Sequence, residues 1–187
     1  MLFLKVYDAK EDDWELNEDD YESIIPEDLR WRNWAKADGS GHAMTVPCVV
    51  DGFRNQHTFE IKLWKDIKKG FTHFAEGDVG VAKITPCFQN RKSVIFRNLK
   101  NGYGAGTTEL TVVRTINDTV LPEYLLWLFK TEYFIANGVK SFTGTAGQQR
   151  IHKDYLATCL IPLPPLAEQK RIVAKLDEIL PLCERLK

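Results

Sequence analysis

Apolar residues in the middle of the chain recur at every second position. Those near its end recur every three or four, so the pattern passes from strands to helices. Residues 58–63 alternate through Phe59, Ile61 and Leu63, residues 79–84 alternate around small residues, 93–96 is short and β-branched, and 109–115 is a longer β-branched run. Gly70, Gly77, Gly102, Gly104 and Gly106 punctuate these segments as turn residues. From Leu121 the period lengthens. Pro122 suits a first helical turn, and the helix is expected to run on through Thr131 to Asn137, where Gly138 ends it. A short helix over 153–158 precedes an extended apolar strand at 160–163, because each proline of the 162–165 run denies its predecessor a helical conformation. Strands first and helices afterwards predict an α+β domain.

The last helix opens beside Pro165, with Glu168 suited to the positive end of its dipole. Ile172, Leu176, Ile179, Cys183 and Leu186 follow at spacings of four and three and form a short heptad seam for a partner helix. Pro181 removes one backbone donor, which predicts a kink near Asp177. At the other end, residues 8–22 are acidic with few apolar anchors, 26–36 fits a short proline-started helix, and the Gly/Ser-containing stretch 37–42 reads as a linker. These features divide the chain into 1–44, 45–165 and 166–187. The first part is expected to contribute little to folding of the second.

At 187 residues, with 44% hydrophobic and 27% charged content, the chain is long enough for one domain with a real core. No apolar run reaches the roughly 20 residues needed to span a bilayer, and the N-terminus turns acidic too early for a signal peptide, which points to the cytoplasm and to no membrane partner. Cys48, Cys87, Cys159 and Cys183 are far apart, as are His42, His57, His73 and His152, so neither a metal nor a cofactor is expected. The net charge of −1 conceals an asymmetry: residues 1–44 carry −7 and the rest +6. A basic body behind an acidic arm is the profile of a nucleic-acid binder with an appended segment.

Tests for catalytic chemistry fail. The glycines of 102–106 lead into a strand and not a helix, which leaves no dipole for a phosphate and makes them turn residues. The Asn/Asp-Pro-Pro-aromatic signature of adenine methylation is absent, as is an Asp followed by Glu-x-Lys. Asp78 suits a turn before a strand. Glu109 suits either a sheet-end hydrogen bond or a contact to a cytosine amino group. The polar loop 143–150 is different in kind: Thr143, Thr145, Gln148, Gln149 and Arg150 supply hydroxyls, amides and a guanidinium, the groups that meet base edges and phosphates. Gln89, Asn90, Arg91 and Lys92 repeat that mixture. Lys83, Arg97, Lys100 and Lys140 are candidate phosphate contacts.

Several motifs occur in a fixed order: Lys68-Lys69-Gly70-Phe71-Thr72-His73-Phe74, then Gly77-Asp78-Val79-Gly80-Val81-Ala82-Lys83-Ile84-Thr85-Pro86-Cys87-Phe88-Gln89-Asn90, then Gly106-Thr107-Thr108-Glu109-Leu110, and finally Leu163-Pro164-Pro165-Leu166-Ala167-Glu168-Gln169-Lys170-Arg171-Ile172-Val173. Together they resemble a target recognition domain and the start of the spacer helix of type I restriction-modification specificity subunits. Residues 3–10 and 25–35 are similar instead to the N-terminal region of the modification (methyltransferase) subunit of such systems. The resemblance implies a twisted, mainly antiparallel sheet with short helices, followed by a truncated spacer helix. It also implies a non-catalytic part that reads one half of a split site in double-stranded DNA and docks on the methyltransferase subunit, the helix seam allowing a weak homodimer. A protein-interaction fragment that binds such subunits through its helix and acidic arm without holding DNA is the alternative.

Overall fold

The structure, a computed structural model, describes residues 5–7, 42–115 and 119–184. The expected helix at 26–36 and all but the last residue of the 37–42 linker lie outside these residues. Two four-stranded sheets and a helical layer make up the described part. Strands β1 (Lys5–Tyr7), β2 (His42–Val49), β3 (His57–Leu63), β4 (Thr72–Ala75), β5 (Val79–Ala82), β6 (Ser93–Ile95), β7 (Tyr103–Gly106) and β8 (Leu110–Arg114) pair as β1-β8-β5-β6 and as β3-β2-β7-β4. All pairings are antiparallel except β2 with β7. The α+β expectation holds, with two small sheets in place of one.

Alternation in the first sheet sets the layers. Val79, Val81, Ile95 and Val113 turn to the helices and join Leu125, Leu126, Phe129 and Phe134 in the larger core. Val94, Phe96, Leu110 and Val112 turn the other way, onto Phe74 of the second sheet. There Phe74 and Phe96 stack with centroids 3.5 Å apart. Gly80 lies under that stack, where a Cβ would come within 2.5 Å of the Phe96 ring. Burial of this set, at about 25 cal/mol per Å² of apolar surface, is the main favourable term of the fold.

Three helices pack on the first sheet: α2 (Pro122–Phe129), α3 (Glu132–Lys140) and α4 (Lys153–Thr158). A short α1 (Trp64–Ile67) follows β3. The helix expected from Leu121 to Asn137 is in fact two. The chain breaks at Lys130 and Thr131, where the Thr131 hydroxyl accepts from the Phe134 amide and starts a new helix. Gly138 does not end the second helix; it lies inside α3 because the Phe88 ring presses on it, and a Cβ there would meet that ring at 2.3 Å. The glycines at 104 and 106 are likewise strand residues of β7 and not turn residues. Residues 160–163 are extended but join neither sheet.

The last helix, α5 (Leu166–Glu184), continues through Asp177 and Pro181 without a break. Its first turn is fastened by Gln169, whose side chain is fully buried. The Gln169 amide oxygen accepts from the Leu121 backbone at 2.9 Å, and its nitrogen donates to the Thr119 and Pro164 carbonyls at 3.0 and 2.9 Å. The Tyr124 hydroxyl adds a bond to the Pro162 carbonyl. Ile172 and Val173 pack against the larger core, so the heptad seam is divided: Ile172 faces its own domain and Leu176 is half-buried, while Ile179 and Cys183 are exposed. Leu186 lies outside the described residues. The division of the chain between residues 44 and 45 falls inside β2, and β1 adds an edge strand to β8.

Candidate nucleic-acid interface

The antiparallel register gathers the polar loops at one end of the first sheet. Ala82 pairs with Leu110 and Val81 with Ser93, so the end of β5 and the starts of β6 and β8 lie side by side. The chain beyond that end is stitched by main-chain bonds. The Lys83 amide donates to the Glu109 carbonyl, the Ile151 amide to the Lys83 carbonyl, and the Thr85 amide to the Gln149 carbonyl at 2.8 Å. Thr143 and Arg150 exchange a pair of bonds at 2.9 Å and close the polar loop. Gly144 and Gly147 turn it with φ of 105° and 84°, a region closed to most side chains. Such a loop has no apolar anchor of its own; the β-bridges of Arg150 to Ile84 and to Thr143 hold it.

Within this cluster Thr143, Thr145 and Gln148 are exposed, while Lys83, Gln149 and Arg150 are partly so. The Arg150 guanidinium is engaged by Glu109: Nε lies 2.8 Å from one carboxylate oxygen and Nη2 2.6 Å from the other. Of the two roles considered for Glu109, the sheet-end contact is the one the structure shows. Asp78 is structural as expected. It is buried at the opposite end, accepts from the Ala75 amide at 2.7 Å, and takes a two-pronged contact from Arg114 at 2.6 and 2.7 Å.

The turn 86–92 adjoins the cluster through Thr85. Gln89 and Asn90 are exposed and Lys92 is partly exposed. Arg91 is not a free cation: it stacks over Phe53 with 5.3 Å to the ring centre, donates to the Lys130 carbonyl, and pairs with Glu132. Beneath it Lys130, fully buried, donates to the Gly52 and Arg91 carbonyls at 2.9 and 2.8 Å. Burial, and secondly the Arg91 charge, push the Lys130 ammonium down to about 7, with Asp51 opposing. Nothing in the sequence pattern signals that role, because a lysine after an amphipathic helix ordinarily marks a solvated helix end.

Two of the candidate cations lie elsewhere. Arg97 and Lys100 follow β6 at the opposite end of the sheet, where Arg97 pairs with Glu123 at 2.8 Å. Lys140, at the end of α3 and just before the polar loop, donates to Asn137. Among the described residues no cluster of His, Cys, Asp or Glu is placed to hold a metal, and no helix is long and apolar enough to cross a membrane.

Comparisons agree with this architecture. The HsdS subunit of Thermoanaerobacter tengcongensis superposes with a TM-score of 0.65 at 20% identity, covering 79% of this chain and 38% of that one. A chain from a structure of the type I R-M system gives 0.55 at 23% identity, covering 80% and 33%. In sequence, the specificity subunit of the Escherichia coli type I restriction enzyme EcoAI is 48% identical over 141 residues, and that of EcoEI is 45% identical over the same length. Each alignment takes in 75% of this chain, which spans about a quarter (24%) of the length of those curated relatives. A further 35 residues are 49% identical to the EcoEI methylase subunit of Escherichia coli, covering 19% of this chain and 7% of that one. The family profile described as "Type I restriction modification DNA specificity domain" matches residues 53–186, and the chain belongs to that family.

Proposed function

We propose that the chain is a DNA-reading module of a type I restriction-modification system. It recognises one half-site of double-stranded DNA in the cytoplasm and docks on methyltransferase subunits, with no catalysis of its own. One observation carries the reading: the 83–92 segment, Glu109 and the 143–150 loop converge at one sheet end and present hydroxyls, amides and cations together. Phosphate contacts from Lys83, Lys92 and Lys140 would fix the register there, and Thr143, Thr145, Gln148, Gln149, Gln89 and Asn90 would face base edges. Arg97 and Lys100, at the other end, fall outside this contact set. The test is a mobility shift with duplexes across a salt series. Log affinity should fall linearly with log salt, and no shift at about 50 mM salt, where such contacts are strongest, would reject the reading.

A second reading, a fragment that binds partner subunits without holding DNA, is favoured by α5, where Ile179 and Leu182 are 39% and 51% exposed. A weak homodimer through the same face would instead serve the first reading, by placing two copies on two half-sites. Sedimentation of Ile179→Asp beside the parent chain tests this face: loss of self-association or of partner binding places the contact there, unchanged behaviour places it elsewhere, and partner binding without a mobility shift separates the second reading from the first.

A further inference from the structure

We propose that Arg150 reads a guanine, as a guanidinium aimed by Glu109, and is not a phosphate contact. The inference rests on the DNA-reading function above and names one base within it. A guanidinium carries five N–H donors in a planar fork. Nε and one N–H of Nη2 are taken by Glu109, and one N–H of Nη1 by the Gln148 carbonyl at 2.9 Å. Two donors are left, one on each Nη. One donor on each of two neighbouring nitrogens suits the adjacent O6 and N7 acceptors that guanine shows in the major groove.

Two features favour a base over a phosphate. The Glu109 carboxylate neutralises the cation at contact distance and would repel an approaching phosphate, whereas a neutral base edge meets no such repulsion. The root of the side chain is also fixed, because the Arg150 backbone bonds in both directions to Thr143 and its neighbours bond to Thr85 and Lys83. A fork held at both root and flank presents a fixed direction, which a phosphate contact does not need and a base contact does. The tip is reachable, since the Arg150 side chain is 42% exposed.

Selection of duplexes bound by the whole chain from a random pool provides the test. The parent chain should enrich a site with a guanine whose replacement by 7-deazaguanine, which lacks the N7 acceptor, lowers affinity by about 10-fold. Arg150→Lys keeps a cation but loses the fork. It should bind random duplexes within about 2-fold of the parent and no longer distinguish guanine from 7-deazaguanine at that position. Glu109→Gln should weaken the preference and steepen the salt dependence, as the released cation turns to phosphates. Indifference of the parent chain to 7-deazaguanine throughout its site overturns the inference and leaves DNA reading intact. So does an Arg150→Lys chain that keeps the preference or weakens on every duplex alike, and so does a Glu109→Gln chain with both properties unchanged. The 7-deazaguanine measurement needs no variant, so it decides even where a variant fails to fold. Enrichment of no sequence by the parent chain overturns DNA reading, and the guanine assignment with it.

Discussion

Lys130 and Arg91 each hold the other's main chain: the Lys130 ammonium donates to the Arg91 carbonyl at 2.8 Å, and the Arg91 Nε donates to the Lys130 carbonyl at 3.0 Å. Arg91 has a φ of 57°, unusual for a residue with a side chain, and this exchange holds it there. Lys130 also donates to Gly52, whose amide in turn donates to the Asn90 carbonyl. One buried nitrogen thereby joins the end of α2 to two surface turns, one of which presents Gln89 and Asn90.

Lys130→Met is expected to strand the Gly52 and Arg91 carbonyls, at a cost of about 1–3 kcal/mol. A second effect is visible only against pH. The folded-state value of about 7 lies below the ordinary 10.5, so between the two the unfolded chain binds more protons and stability rises with pH, by at most about 1.4 kcal/mol per unit. Below about pH 7 both states are protonated and the contribution is level. Denaturation of the parent chain should therefore require more urea at about pH 9 than at about pH 6, relative to the Met variant, which lacks the rise. Parallel pH profiles for the two chains would mean that Lys130 keeps its ordinary affinity for a proton.

Gln169 has a comparable role at the start of α5. Gln169→Leu conserves bulk but leaves the Leu121 amide and the Thr119 and Pro164 carbonyls without their buried partner. The expected loss is about 2–4 kcal/mol, or a fall in Tm of about 5–15 °C for a chain of this size. A melting temperature unchanged within about 2 °C would show that water replaces the amide.

The acidic arm is less separate than charge and composition suggest. Truncation at Thr45 removes β1 from the edge of β8 and the first residues of β2, which pair with Leu63, Lys62 and Ile61 and, at Met44, with Gly104. A chain starting at Thr45 is therefore expected to melt lower than one starting at Ser40, and both lower than the full chain. Equal melting of all three would restore the arm to the role of a passive extension.

Legibility in the sequence follows the range of the interaction. Strands β3, β5, β6 and β8 and helix α4 are readable because their alternation or period is local. The break at Lys130 is not, since it depends on Thr131 capping α3 and on Lys130 reaching Gly52, far away in the chain. Gly104, Gly106 and Gly138 look like punctuation, yet Gly106 and Gly138 are small because Leu110 and Phe88 press on them. The polar loop is legible by composition alone; its anchoring to Lys83 and Thr85, and the pairing of Arg150 with Glu109, belong to the fold.

Reading and holding should separate in the loops themselves. Gln148 is exposed and Gln149 partly so, and the bonds by which they hold the loop are made by their backbone: their carbonyls accept from Arg150 and Thr85, and the Gln148 amide donates to the Thr145 carbonyl. Alanine at either position preserves those carbonyls and removes only the side-chain amide. If the amides meet base edges, Gln148→Ala or Gln149→Ala should lose about 1–3 kcal/mol on the preferred duplex and little on random DNA. Lys92→Ala should weaken all duplexes alike and flatten the salt slope by about one unit. Titration of each variant with preferred and random duplexes at several salt concentrations measures both quantities. Glutamine variants that melt lower and lose affinity for every duplex in parallel would assign the amides to support of the loop, and the base-reading role would pass to the neighbouring Thr143 and Thr145.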